Sequence, residues 1–330
     1  MKRAVRQDPH LIVGAGAKGL TLALALARRG EPVLVAESSR AIGGQARSFR
    51  YGRFTFDLGL HAFVSADRGL RTLVKELLGQ DYREFTARAA SRLPDGAMVE
   101  DSANWCSGGS FRRFHDLLPG ADAGWNCMRV SKPPSVIYPR RGGFGRLLEE
   151  LARAVKNAGG RILLDAPVAR KDLRLENGRI TDARVRGAWI RVRSCHWASG
   201  APTPTRKSSP RSALLLTHFM VRGRAPVPYH WVRLFDVATP FTPQLAYYPA
   251  RFASANAPKG HYGVGAVVPL ALAAQHSRED AKLHRWILKD PRILLPAVTG
   301  GLARAGLLDA DAVMDVRQEL LPTSGSPSGA

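Results

Sequence analysis

The sequence predicts an α/β protein in which a parallel sheet with crossover helices is interleaved with a β-rich lobe, and three observations carry that reading. An apolar run, Leu11-Ile12-Val13, feeds without a spacer into Gly14-Ala15-Gly16-Ala17-Lys18-Gly19. An alanine- and leucine-rich stretch to Arg29 stops at Gly30 and gives way to a second apolar run, Pro32 to Ala36, closed by Glu37. Farther on, a helical stripe over 146–158 is followed by short apolar segments separated by turn residues. Short continuous apolar runs suit strands buried on both faces of a parallel sheet.

Each glycine of the G-x-G-x-x-G turn has a physical task. Gly14 lets the chain turn tightly out of the strand, Gly16 removes a Cβ so that a pyrophosphate can approach the backbone, and Gly19 lets the helix lie close on the sheet. The helix from Lys18 to Arg29 then directs its N-terminal amides and dipole at an anion. Glu37 stands about 20 residues past the glycines, where a carboxylate accepts hydrogen bonds from the adenosine ribose hydroxyls and disfavours a 2′-phosphate. Strand, turn, helix, stop, second strand and acid fall in register. The chain is therefore read as opening on a dinucleotide-binding unit of the Rossmann type.

The residues after the second strand select the dinucleotide. Glu37-Ser38-Ser39-Arg40-Ala41-Ile42-Gly43-Gly44 has the form E-x5-G-G and runs on into Gln45-Ala46-Arg47-Ser48. This resembles the FAD-binding signature of the amine oxidase, protoporphyrinogen oxidase and phytoene desaturase superfamily of flavoproteins. The resemblance implies FAD as cofactor, with Gly14, Ala15, Gly16, Gly19, Glu37, Ser38, Gly43, Gly44 and Arg47 around its nucleotide and phosphate portions. The segment Phe54-Thr55-Phe56-Asp57-Leu58-Gly59-Leu60-His61-Ala62-Phe63 resembles the F-D-x-G-x-H-x-F segment of the protoporphyrinogen oxidase-like and UDP-galactopyranose mutase-like branches. By that resemblance Gly59 and His61 approach the isoalloxazine ring, and His61 is the one candidate catalytic group; read from its residues alone, it is equally a hydrogen-bonded loop histidine. Tyr138 to Val168 is similar to the family's P-x-G-G turn, long helix and return strand. That places Gly143 near the flavin and Val168 at the adenine, although spacing alone also permits an ordinary helix entry and hairpin.

Composition narrows the alternatives. The formal net charge is +22 over 330 residues. Steering of an anionic substrate, a nucleic-acid surface or an anionic membrane each accounts for such a balance. The arginines are scattered, without the basic stripe and aromatic interleaving of a nucleic-acid surface, so no nucleic-acid partner is expected and the balance reads as a compositional bias with arginine on solvated faces. Cys106, Cys127 and Cys195 are widely separated and form no C-x-x-C pair, which points away from zinc and from a disulfide framework. No metal site is expected. The basic N-terminus has no apolar h-region and no stretch reaches the length of a membrane span, so a cytoplasmic protein is expected, with peripheral membrane contact left open.

Along the rest of the chain, Tyr51-Gly52 reads as a hairpin turn, Asp67 to Leu78 as an amphipathic helix, and Asn177-Gly178 as a second hairpin turn. Leu214 to Val221, Trp231 to Pro249 and His261 to Pro269 read as strands, and Ser277 opens a helix to Lys289 with a capping box. The expected division is a Rossmann segment for FAD or NAD(P) over 1–66, an inserted substrate-side segment over 67–135, a return of the FAD-binding domain over 136–200, a substrate lobe over 201–321 and a disordered tail over 322–330. Gly300-Gly301 and Gly306 lack the pattern of the family's second glycine-rich segment, so the chain reads as truncated against that family. The patternless stretches 101–135 and 194–212 add the expectation of a disturbed reading frame, which resequencing the gene tests. The resemblance implies an FAD-dependent oxidoreductase acting on a C–N or C–C bond of a small hydrophobic or anionic molecule. A UDP-galactopyranose mutase-like flavoenzyme and an inactive remnant are the alternatives.

Overall fold

A computed structural model describes residues 8–64, 67–100, 135–198, 212–235, 241–270 and 286–323. In the first half of the chain the strands are β1 (His10–Val13), β2 (Val33–Ala36), β3 (Ser48–Tyr51), β4 (Phe54–Asp57), β5 (Tyr82–Thr86), β6 (Ala89–Arg92), β7 (Met98–Glu100), β8 (Ser135–Pro139) and β9 (Arg161–Leu163). They continue with β10 (Leu173–Glu176), β11 (Arg179–Val185), β12 (Ala188–Arg191), β13 (Ser194–Trp197), β14 (Ser212–Arg222), β15 (Trp231–Leu234), β16 (Leu245–Tyr247), β17 (His261–Leu270) and β18 (Val313–Thr323). The longer helices are α1 (Ala17–Ala27), α2 (Arg68–Leu78), α3 (Gly145–Asn157) and α4 (Leu295–Arg304).

The contacts divide the chain into two units, the first made of Met1–Arg47, Asp67–Gln80 and Phe144–Thr205. Its centre is a parallel sheet in the order β13-β1-β2-β9. Leu11, Ile12 and Val35 are fully buried there, as continuous apolar runs require when both faces are covered. Leu20, Ala23, Leu24 and Ala27 follow the helical period along α1 and pack with Leu148, Leu151, Ala152 and Val155 of α3. The amphipathic helix α2 also belongs here, not to an inserted substrate-side segment. Its Leu73 and Leu77 join the same cluster, and Asp67 caps it by accepting from the Leu70 amide at 2.8 Å. An apolar stripe needs an apolar partner, and α3 supplies one.

The other face of the sheet is covered by the three-stranded meander β10-β11-β12, whose Ala183 and Val185 pack with Leu11, Val13 and Leu34. Its first turn places Asn177 and Gly178 at φ 50° and 75°, the left-handed pair of a tight hairpin. Residues 194–197, expected to be patternless, are the edge strand β13 paired in parallel with β1. Backbone hydrogen bonds are indifferent to side chains, so Ser-Cys-His-Trp is accommodated at the edge of the sheet formed by the described residues. Cys195 and Trp197 pack on the meander side, while Ser194 Oγ lies 2.7 Å from both His10 Nδ1 and His196 Nε2.

The second unit comprises Ser48–Ala66, Asp81–Gly143 and Arg206–Ala330. A seven-stranded sheet, β18-β14-β17-β16-β15-β6-β7, is antiparallel except where β15 meets β6. Phe219, Val264, Ala266 and Val268 are fully buried on it, and Val298 and Leu302 of α4 belong to the same cluster. The hairpin β3-β4 and the pair β5-β8 complete the unit. Residues 48–64 and 136–143 therefore belong to this unit and not to the first. Pro322 and Thr323, expected in the tail, end β18 and pair with Ala213 and Ser212. Gly300 and Gly301 lie inside α4. The expected helix start at Ser277 and the stretch 101–134 lie outside the described residues, as do Cys106 and Cys127.

Candidate dinucleotide-binding site

In the first unit the turn after β1 is built as its glycines predict. Gly14 adopts φ 106°, a left-handed conformation that exempts it from the penalty a Cβ would carry. A Cβ on Gly19 would overlap the Gly14 carbonyl oxygen, so the third glycine is required for α1 to leave the strand this closely. Gly16 differs. Its backbone is extended at φ −77° and ψ −178°, and a Cβ built on it meets nothing within 4 Å. Close packing does not demand that glycine; it leaves open space at the N-cap of α1, where no side chain caps the first amides.

The second glycine pair is brought directly against this turn. The Gly43 amide donates to the Ala15 carbonyl at 2.8 Å, and a Cβ on Gly44 would stand 3.7 Å from Gly16 Cα. Gly43 and Gly44 take φ of 102° and 54°. Arg47 comes after the short helical turn that starts at Gly44.

Glu37 ends β2 as a buried carboxylate. Its Oε2 accepts from the Ala15 amide at 2.7 Å, and its Oε1 accepts from the Ser39 amide and hydroxyl, both at 2.9 Å, and from Ser38 Oγ at 3.3 Å. Burial by itself would raise the Glu37 pKa, but these donors outweigh it and hold the group below its ordinary 4.5. The acid is thereby fixed as an anion beside the turn, and Oε2 retains a second lone pair for a further donor. The segment carrying Val168 passes this strand end, with the Ala166 amide donating to the Glu37 carbonyl at 2.8 Å. Val168 itself packs on the meander cluster.

The remaining site candidates, Gly59, His61 and Gly143, belong to the second unit. Gly59 takes φ 97° and its amide donates to the Asp57 carbonyl at 2.8 Å. Two residues on is the His61 ring, with Nδ1 inaccessible to solvent. Burial pushes its pKa down to about 4 against a hydrogen bond to the Gly59 backbone, so it is a neutral imidazole at pH 7. A Cβ on Gly143 would collide with Ser48 Oγ and Asp57 Oδ1, and this glycine also takes φ 69°.

Sequence reasoning missed what holds this turn. Asp57 is 5% exposed, and its carboxylate accepts from Ser48 Oγ at 2.5 Å and from the Tyr138 hydroxyl at 2.6 Å. Asn256 donates to the Tyr138 oxygen at 3.2 Å. The Tyr247 hydroxyl donates to the Asp57 carbonyl at 2.7 Å and lies 3.0 Å from His218 Nε2. His218 is fully buried, with its ring stacked on Phe56 at 4.6 Å. The only signal was Asp57 itself, an acid between apolar strand residues. Its partners come from β3, β8, β16 and the segment before β17, separations that no local pattern encodes.

Among the described residues, no cluster of three or more His, Cys, Asp or Glu is placed to hold a metal ion. No helix among them is long and apolar enough to cross a membrane.

Comparison with known proteins adds to this geometry. Residues 12–77 match the model of an NAD(P)-binding Rossmann-like domain. A curated protein from Methanothermococcus thermolithotrophicus, described as an uncharacterized protein in the nifH2 3′ region, is 41% identical over 59 residues. That match spans 18% of this chain and 57% of the relative's length. Among solved structures, a reduced UDP-galactopyranose mutase superposes with a TM-score of 0.69 at 15% identity, over 97% of this chain and 84% of that one. This chain shares the fold of that protein. A putrescine oxidase with putrescine bound superposes with a TM-score of 0.56 at 13% identity, covering 94% of this chain and 84% of that one. The shared fold is a Rossmann-type α/β unit with a multi-strand sheet in the second unit.

Proposed function

We propose that this chain is an FAD-dependent oxidoreductase acting on a C–N or C–C bond of a small organic substrate. The observation that carries the reading is the open face over Gly16, bounded by Gly44 and leading into the uncapped first turn of α1. A pyrophosphate fits the chemistry of that space, because backbone amides face it and no side chain fills it. Glu37 fits an adenosine ribose, since its fixed carboxylate still has a lone pair for a hydroxyl. Gly43, Gly44, Ala15, Ser38 and Arg47 complete that half, with Val168 toward the adenine.

Bound FAD would supply a two-electron acceptor, the chemistry that the protein's own side chains lack. The chain's contribution is then to bind and orient. His61, neutral at pH 7, can accept or donate one hydrogen bond without adding charge. Asp57, Tyr138 and Tyr247 fix the turn that carries Gly59 and His61. These groups hold position, and no proton transfer is assigned to them.

The likeness to UDP-galactopyranose mutase over 97% of the chain, together with the D-x-G-x-H segment, supports a second reading as an isomerase using the same cofactor. The deciding experiment is the visible absorbance spectrum of the purified full chain, with the released cofactor identified by chromatography. A stoichiometric FAD band is expected. No flavin, even after incubation with FAD, would overturn both readings and leave an inactive remnant. Turnover of a nucleotide sugar without any electron acceptor would favour the isomerase.

A further inference from the structure

The second unit also holds a pocket at the tip of the β3-β4 hairpin. Its volume is about 600 Å³, and Phe54, Met220, Met314 and Pro258 give it an apolar surface. That size suits a small organic ligand. Phe54 and Met220 are 6% and 4% exposed and belong to one small core cluster, so the apolar wall is anchored. Phe54 is also three residues along β4 from Asp57, about 10 Å at the rise of a strand, so the pocket lies toward the Gly52 tip of the hairpin and away from Gly59.

The polar groups at this pocket are Arg53, Arg317, Asp315, His261 and Tyr51. Asp315 is committed locally, accepting from Arg317 at 2.9 Å and from the Val316 amide at 2.8 Å. His261 Nδ1 is held 3.0 Å from the Lys259 carbonyl, with the ring set edge-on to Phe54 at 6.1 Å. Arg53 has no hydrogen-bond or ion-pair partner among the described residues. Two guanidinium groups against one carboxylate leave a net positive charge beside an apolar wall.

We propose that this pocket binds an amphipathic monoanion, a carboxylate or comparable acid head on an apolar body. The head meets Arg53, with Arg317 behind it, and the body lies on Phe54, Met220 and Met314. A guanidinium without an internal partner is the group that gains most from a carboxylate, through two parallel charge-assisted hydrogen bonds. Binding here does not depend on whether the first unit holds FAD.

The test is calorimetric titration of the full chain with octanoate and, separately, with 1-octanol. Octanoate is expected to bind saturably at one site and at least tenfold more tightly than the alcohol. Arg53→Gln, on an exposed turn, should weaken octanoate about tenfold and leave octanol unchanged, and Arg53→Gln/Arg317→Gln should weaken it further. Equal binding of acid and alcohol, wild-type affinity in Arg53→Gln, or no saturable heat would overturn the proposal. Displacement of octanoate by FAD would also overturn it, by placing the anion in the dinucleotide turn.

Discussion

Gly16→Val separates a glycine kept for the fold from one kept for a ligand. The backbone at Gly16 is extended, φ −77° and ψ −178°, a region that β-branched residues adopt readily, and a Cβ there meets nothing within 4 Å. The substitution should therefore leave the thermal midpoint within a few degrees of wild type. A pyrophosphate approaching that backbone would meet the new isopropyl group instead. Losing about two charge-assisted hydrogen bonds to backbone amides, each about 1.5–3 kcal/mol, amounts to roughly 3–6 kcal/mol, or about a 10²- to 10⁴-fold rise in the FAD dissociation constant. The assay is flavin fluorescence titration alongside thermal unfolding. Gly19→Ala is the control: its Cβ would overlap the Gly14 carbonyl, so folding and binding should fail together. A Gly16→Val protein that binds FAD as wild type does would refute the reasoning, and so would one that unfolds like Gly19→Ala.

The buried charges set further outcomes. Glu37→Gln sets an NH2 donor against the Ala15 or the Ser39 donors and should cost about 1–2 kcal/mol at pH 7, read by urea unfolding. Because the folded pKa of Glu37 lies below 4.5, its stabilisation is present above that value and is lost as pH falls through the folded pKa, so the difference between variant and wild type should vanish in acid. Asp57→Asn sets an amide against Ser48 or Tyr138 at a 5% exposed position; a loss of about 3 kcal/mol is expected, and an unchanged urea midpoint would contradict the anchoring role. His218 is pushed by burial down to about 3, so the unfolded chain binds the extra proton first as pH drops below 6.5. Wild type should lose stability with a slope steeper than His218→Gln by about 1.4 kcal/mol per pH unit between 6.5 and that folded value; parallel slopes would place His218 in contact with water.

Much of the first unit was legible because its signals are local. A strand that continues into G-x-G-x-x-G, a helix closed at Gly30 and an acid closing β2 each depend on residues within a few positions, where steric and hydrogen-bonding rules act directly. The Tyr51-Gly52 and Asn177-Gly178 turns were readable for the same reason. The Asp57 surroundings were not. Tyr138 and Tyr247 meet that aspartate across 81 and 190 residues of chain, and Asn256 and His218 join through them. A buried polar group leaves no period in the sequence.

Residues 10–44 alone thus determined the strand-turn-helix-strand unit, the positions needing glycine and the fixed acid at Glu37, because backbone sterics and burial on both faces restrict those choices locally. Tertiary structure decided that α2 packs with α1 and α3, since its apolar stripe could have met any apolar face. It decided that Ser194–Trp197 is a strand, because edge pairing depends on backbone groups and not on aliphatic side chains. It also decided that Gly16 faces open space while Gly19 and Gly143 are crowded. That distinction between a glycine spared for a ligand and one required by packing exists only once the neighbouring chain is in place.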